Sequence, residues 1–246
     1  MVDIKFYVKF PLLTAAILFS VSTAKCQTLV TAHGDPVTHQ LFLSNGLEPE
    51  FVSTIGYTQL VGNPGKNLDY HMGASLKFAP LIFSTGAWRF NFINNLIWRM
   101  SENWKIHFGT NLYLAHHTNR AGKMNGLGSE LRVTPMHFGN IWAKGLDIGW
   151  QHTFLTHFEH SKEAKDTFKD RYPAGENGIE GPRDGWYGAT ALRFRLGFSG
   201  SRKLGNVLRL QVGIGALLSL QKQRILLGFS HAQVPFYLES TLSFSF

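Results

Sequence analysis

The sequence holds a single cysteine, Cys26, in 246 residues. That excludes a disulfide framework and any multi-cysteine metal site. Charge is scarce too: Asp, Glu, Lys and Arg make up 16% of the chain, with 16 acidic residues against 24 basic ones. Beyond the N-terminus no stretch reaches the ~18 uninterrupted apolar residues of a membrane helix. No glycine-rich phosphate loop follows a strand and opens a helix. Internal repeats and low-complexity tracts are absent.

What is present begins with a leader. Lys5 and Lys9 give a positive start, Phe10 to Ala24 an apolar run, and Ser22-Thr23-Ala24 a small-residue cleavage site. Residues 1–24 therefore read as a secretory signal peptide, too short to span a membrane. Cys26 invites a lipoprotein reading, which Lys25 before it fits poorly. The remainder, 25–246, is long enough for one domain. Exported without a membrane helix, it is either soluble or a membrane barrel. Its basic balance (+8 over the whole chain) favours anionic surfaces such as lipopolysaccharide over nucleic acid, or simply aids solubility.

The dominant period is two. In 186–199, Leu192, Phe194, Leu196 and Phe198 share one face, and Arg193, Arg195, Gly197 and Ser199 share the other. In 206–221, Leu208, Leu210, Val212, Ile214 and Leu218 alternate with Arg209, Gln211, Gly213 and Gly215. Such runs exceed the usual five or six residues of a soluble strand. Apolar groups outward to lipid and polar groups inward suit a membrane barrel. The spans 49–60, 68–78, 86–98, 104–116, 127–134, 145–158, 186–199, 206–221 and 234–246 make nine strands. Single-chain bacterial barrels have even numbers, so "THQLFLS" (38–44) supplies the tenth. A hairpin over 222–232 would raise the count to twelve. Trp98 and Trp104 flank the short "RMSEN" connection, where an interfacial girdle belongs. The expected fold is all-β: a transmembrane antiparallel up-and-down barrel of about ten strands (8–12) in the outer membrane of a Gram-negative bacterium. The same parity places 117–126 and 159–185 in extracellular loops, the latter charged, rich in Gly and Pro, and solvated.

The last strand, with Phe236, Leu238, Leu242, Phe244 and Phe246 on one face, resembles the terminal strand of bacterial outer-membrane proteins. That resemblance implies the barrel-assembly machinery as a partner. A second resemblance is local. The chain reads His116-His117-Thr118-Asn119, then Asn125-Gly126-Leu127-Gly128-Ser129-Glu130. This resembles the His-x-Ser-Asn and downstream glutamate of the PagL-like lipid A 3-O-deacylases, with Thr118 where the family has serine. The resemblance implies an esterase that removes an ester-linked acyl chain from lipid A. It implies Thr118 as nucleophile, His116 as general base and Glu130 as orienting carboxylate. Asn119, with Asn125, would support the oxyanion. No cofactor is implied. The chemistry has its own logic: a hydroxyl needs an adjacent base, and the base a third group to fix its tautomer. Residues two apart on a strand share a face, so His116 and Thr118 can meet. Simple alternation groups Glu130 with Arg132, toward the lumen. A bulge at Gly126 or Gly128 would re-aim it.

Other constellations are weaker. His152 and His157, five apart, fall on opposite faces of a regular strand and make a poor metal pair; no metal site is expected. Lys77, Arg89, Lys105, Arg193, Arg195 and Arg209 face the lumen with Asp69, Asp147 and Glu239, as an anion path or a salt-bridged plug. The alternative to an esterase is a non-catalytic barrel, either a small pore or a structural or adhesive protein.

Overall fold

The computed structural model describes residues 38–48, 50–78, 86–171, 184–221 and 236–246. Ten strands form a closed antiparallel barrel. They are β1 (His39–Glu48), β2 (Glu50–Gly65), β3 (Leu68–Phe78), β4 (Trp88–Arg99), β5 (Trp104–Asn119), β6 (Gly122–Phe138), β7 (Trp142–His160), β8 (Gly185–Lys203), β9 (Leu208–Gln221) and β10 (Phe236–Ser245). Each pairs with its sequence neighbours, and β1 closes the ring against β10 from Gln40↔Ser245 to Leu47↔Leu238. Closure leaves no unpaired edge, which a lipid environment requires. The leader, Cys26 and the 222–232 segment lie outside the described residues.

Alternation divides every strand between two solvents. Leu41, Leu43, Ile55, Phe90, Phe92, Leu112, Leu114, Phe194, Leu196 and Ile214 are exposed on the outer wall. Their strand neighbours, among them Ser44, Thr54, Asn91, Asn95, Asn111 and Gln211, are buried inside. This is the inverse of a soluble barrel and the pattern of an outer-membrane one. Tryptophan marks the band's limits. Trp98, Trp104 and Trp142 lie at one end of the wall, near His39 and Phe246, and Trp88 and Trp186 at the other. Ten residue steps along β4 separate Trp88 from Trp98. At about 3.4 Å per step and about 45° tilt they span roughly 24 Å of membrane normal, the height of a barrel's apolar band.

The lumen is crossed by an ion-pair network. Arg132 on β6 donates from Nε to Asp147 Oδ1 at 2.5 Å and from Nη2 to Glu239 Oε1 at 3.2 Å. Arg195 on β8 donates to Asp147 Oδ2 and Glu239 Oε2, each at 2.5 Å, with its guanidinium 3.6 Å from the Tyr237 ring centre. Tyr237 donates to Asp147 at 2.8 Å. Two cations thus face two anions on β7 and β10. Small residues make this possible: a Cβ at Gly197 would collide with the Tyr237 hydroxyl, and one at Gly213 with the Glu239 carboxylate. Of the lumen-facing charges expected from sequence, Arg195, Asp147 and Glu239 join this network, together with Arg132.

Two stretches differ from the expected loops. β5 and β6 extend to a turn of only Arg120 and Ala121, so 117–119 and 122–126 are strand. Their ladder continues to Asn119↔Gly122. β7 runs on to His160, and a helix, α1 (Lys162–Arg171), follows it. Ser161 caps α1: its Oγ accepts from Ala164 N–H at 3.1 Å and donates to Arg120 O at 2.8 Å. That capping geometry satisfies one orphan helix donor and ties α1 to the β5–β6 turn. Asp184 completes the tie, accepting from the His160 N–H at 2.8 Å and from Lys165 Nζ at 2.5 Å.

Two outcomes follow. Arg195→Met strands two lumen carboxylates with one guanidinium. The urea unfolding midpoint should fall by the equivalent of about 3–5 kcal/mol, the usual cost of breaking a buried pair. For Asp184, Lys165 and then the His160 N–H hold the carboxyl down to about 2. A depressed carboxyl contributes fully above its ordinary range and loses that contribution as pH falls through about 2. Hydrogen-exchange protection of the His160 amide should therefore be equal at pH 7 and pH 5, and should drop at both in Asp184→Ala.

Candidate active site

The tight β5–β6 hairpin sets the site. Gly122, at φ +145°, stands where a Cβ would strike the Glu159 carbonyl of β7. From the turn the register runs Thr118↔Lys123, His116↔Asn125, Leu114↔Leu127 and Leu112↔Ser129. Leu112 and Leu114 face lipid, so by alternation His116, Thr118 and Asn125 do as well. The three meet. Thr118 Oγ1 lies 2.9 Å from His116 Nε2, and His116 Nδ1 lies 2.7 Å from Asn125 Oδ1. An amide oxygen only accepts, so His116 Nδ1 carries the proton. In the neutral ring Nε2 is then the acceptor, and the Thr118 hydroxyl donates to it. That is the tautomer a general base needs.

The surroundings are equally ordered. Trp88, opposite His116 on β4, stacks on the imidazole with centroids 5.7 Å apart and planes inclined by 24°. Gly86, at φ +59°, lies against Thr118: a Cβ there would come within 3.3 Å of the threonine Cβ. Across β6, Asn125 pairs with His157, and His157 with Trp186, whose rings are 4.9 Å apart. Trp88, His116, Asn125, His157 and Trp186 thus form one row around the outer wall at its extracellular girdle. At this height polar groups are cheap, on the order of 0–1 kcal/mol even for a charge. The row is half-buried at His116 and open to lipid at both tryptophans.

Not every sequence candidate joins this group. Glu130 pairs with Asn111, five residues before His116 on β5, so about 17 Å of strand separates them. Its Oε2 accepts from Arg89 Nη2 at 2.7 Å inside the barrel. The β5–β6 ladder runs without a register shift, so no bulge turns Glu130 outward, and Asn125 occupies the position at His116 Nδ1 expected for the carboxylate. The Asn119 side chain lies outside the described residues. His117 points inward and is buried. A bulge does occur, between Thr153 and Leu155 on β7. It puts His152 and His157 on the same face, contrary to simple alternation. They lie opposite Ser129 and Asn125, about 13 Å apart along the strand.

Trp88 and Lys123 could not be found from motif spacing. The hairpin register would have given Lys123 and Asn125 their places, had the two-residue turn been recognised.

No family model and no curated protein sequence matches the chain. Among solved structures it is similar to the KdgM porin, with a TM-score of 0.39 and 7% identity over 84% of this chain and 99% of that one. It is similar to the toluene transporter TodX of Pseudomonas putida, at 0.37 and 9% over 87% and 72%. The β-domain of the Bordetella autotransporter BrkA gives 0.38 and 10% over 85% and 98%. The assignment as a bacterial outer-membrane barrel rests on the closed strand order and the outward apolar band.

Glu130→Gln removes the charge facing Arg89. Thermal unfolding in detergent should shift down by the equivalent of about 1–3 kcal/mol, while any chemistry at Thr118 is unchanged. A selective loss of that chemistry would return Glu130 to the site.

Proposed function

We propose that this barrel hydrolyses an ester-linked acyl chain of lipid A, from the outer leaflet. The observation that carries the proposal is the pair of hydrogen bonds joining Thr118, His116 and Asn125 on the lipid-facing wall. A hydroxyl–imidazole–amide relay is of little structural use at an interface where each group could be solvated separately. It is what an activated nucleophile requires. The local resemblance to PagL-like deacylases supports the same reading, with Asn125 in place of Glu130 as the group that orients the base.

Thr118 Oγ1 attacks the ester carbonyl as its proton passes to His116 Nε2. The tetrahedral intermediate collapses, its C–O bond to the sugar breaks, and His116 returns the proton to the departing alkoxide. Water then attacks the acyl-threonine as His116 takes its proton; the acyl C–Oγ1 bond breaks, His116 returns the proton to Thr118 Oγ1, and the fatty acid leaves. Asn125 holds the imidazole in the correct tautomer throughout. Being neutral, it orients the imidazolium more than it stabilises it; cysteine proteases with a Cys-His-Asn set work the same way. Lys123, opposite Thr118 on the same face, is within cross-strand reach of the oxyanion. The stacked Trp88 limits ring rotation of His116 and presents an apolar surface to an acyl chain.

The test is the mass spectrum of lipid A from cells expressing each variant. Wild type should remove one acyl mass and Thr118→Ser should keep that activity. Thr118→Ala and His116→Ala should lose it by roughly 100-fold or more, and Asn125→Ala should fall between. Intact lipid A with folded wild type would overturn the proposal and favour the non-catalytic barrel. Equal activity of wild type and Thr118→Ala would remove the threonine from the mechanism.

A further inference from the structure

The opposite rim of the outer wall carries a second feature, independent of the Thr118 site. A cleft of about 490 Å³ is bounded by Trp104, Pro135, His137, Lys144, Leu146 and Phe198 on β5 to β8. Its origin is local. Pro135 has no N–H to give the ladder. The β6–β7 ladder pairs residues on either side of it, at Val133↔Ile148 and Met136↔Gly145. Gly145, beside it, contributes no side chain.

The walls are graded along the membrane normal. The row nearest the periplasm is Trp104, His137, Lys144 and Gly200. Trp104 meets His137 edge-on at 5.1 Å. Lys144 is exposed, and among the described residues no carboxylate pairs with it. One step toward the bilayer centre the row is wholly apolar: Ile106, Pro135, Leu146 and Phe198.

We infer that this cleft binds one glycerophospholipid of the periplasmic leaflet. The phosphodiester lies against Lys144 and His137, and one acyl chain runs along Leu146 and Phe198. The polarity gradient matches such a lipid in direction, cation at the headgroup level and apolar walls above. Trp104 sits at the girdle where headgroups begin. A lysine with no carboxylate partner among the described residues, at the headgroup level, calls for an anionic group, which acyl chains alone do not provide.

Native mass spectrometry of the purified barrel in detergent, titrated with phosphatidylglycerol, tests this. Wild type should retain one lipid saturably. Lys144→Gln, at an exposed position, and Leu146→Trp, which fills the apolar arm, should each weaken retention by about tenfold. Diacylglycerol with the same chains should be retained at least as poorly. Unchanged retention in either variant, or diacylglycerol held as well as phosphatidylglycerol, overturns the proposal and leaves only general lipid solvation of the wall.

Discussion

Every backbone N–H and C=O inside a bilayer must find its partner within the protein. For strands, the only complete solution is a ring, and here β1 closes against β10. Once the ring is shut, each residue has one of two fates, lipid or lumen, decided by parity alone. The polar interior, the apolar wall and the position of the candidate site all follow from that division. So does the cost of an error: a one-residue slip would exchange every lumen charge with a lipid-facing leucine.

The lumen and the wall make opposite use of polar groups. Inside, Arg132, Arg195, Asp147 and Glu239 neutralise one another in a network that spans β6, β7, β8 and β10. Its groups are spent on each other. Outside, His116, Thr118 and Asn125 stand where polarity has no packing purpose, at the level where acyl chains meet headgroups. Sequence proximity to glycines first suggests a flexible loop. The ladder instead holds the three on adjacent, fully paired strands, braced above by Ser161 and α1. A rigid support of this kind suits a site whose reacting atoms must stay within hydrogen-bond reach.

The barrel was legible because alternation is a short-range signal that survives without knowledge of pairing. Leu208 to Leu218 announces its two faces unaided. The tenth strand came from parity of strand number and was longer than read, His39–Glu48 rather than 38–44. His116 and Thr118 were legible for the same reason, being two apart on one strand. Asn125 and Glu130 were not separable, because choosing between them needs the register between strands. Register depends on turn length, and Gly122, Gly126 and Gly128 disguised a two-residue turn as a long loop. The bulge before Leu155, which brings His157 beside Asn125, leaves no trace in periodicity.

The central claim is that Thr118 is a nucleophile activated by His116, and covalent trapping tests it most directly. Purified barrel in detergent is treated with a long-chain alkyl fluorophosphonate, digested, and analysed by peptide mass spectrometry. One phosphonyl adduct is expected on Thr118 in the wild type and none in His116→Ala. No adduct on the folded wild type, or an equal adduct on Thr118 without the histidine, would contradict it.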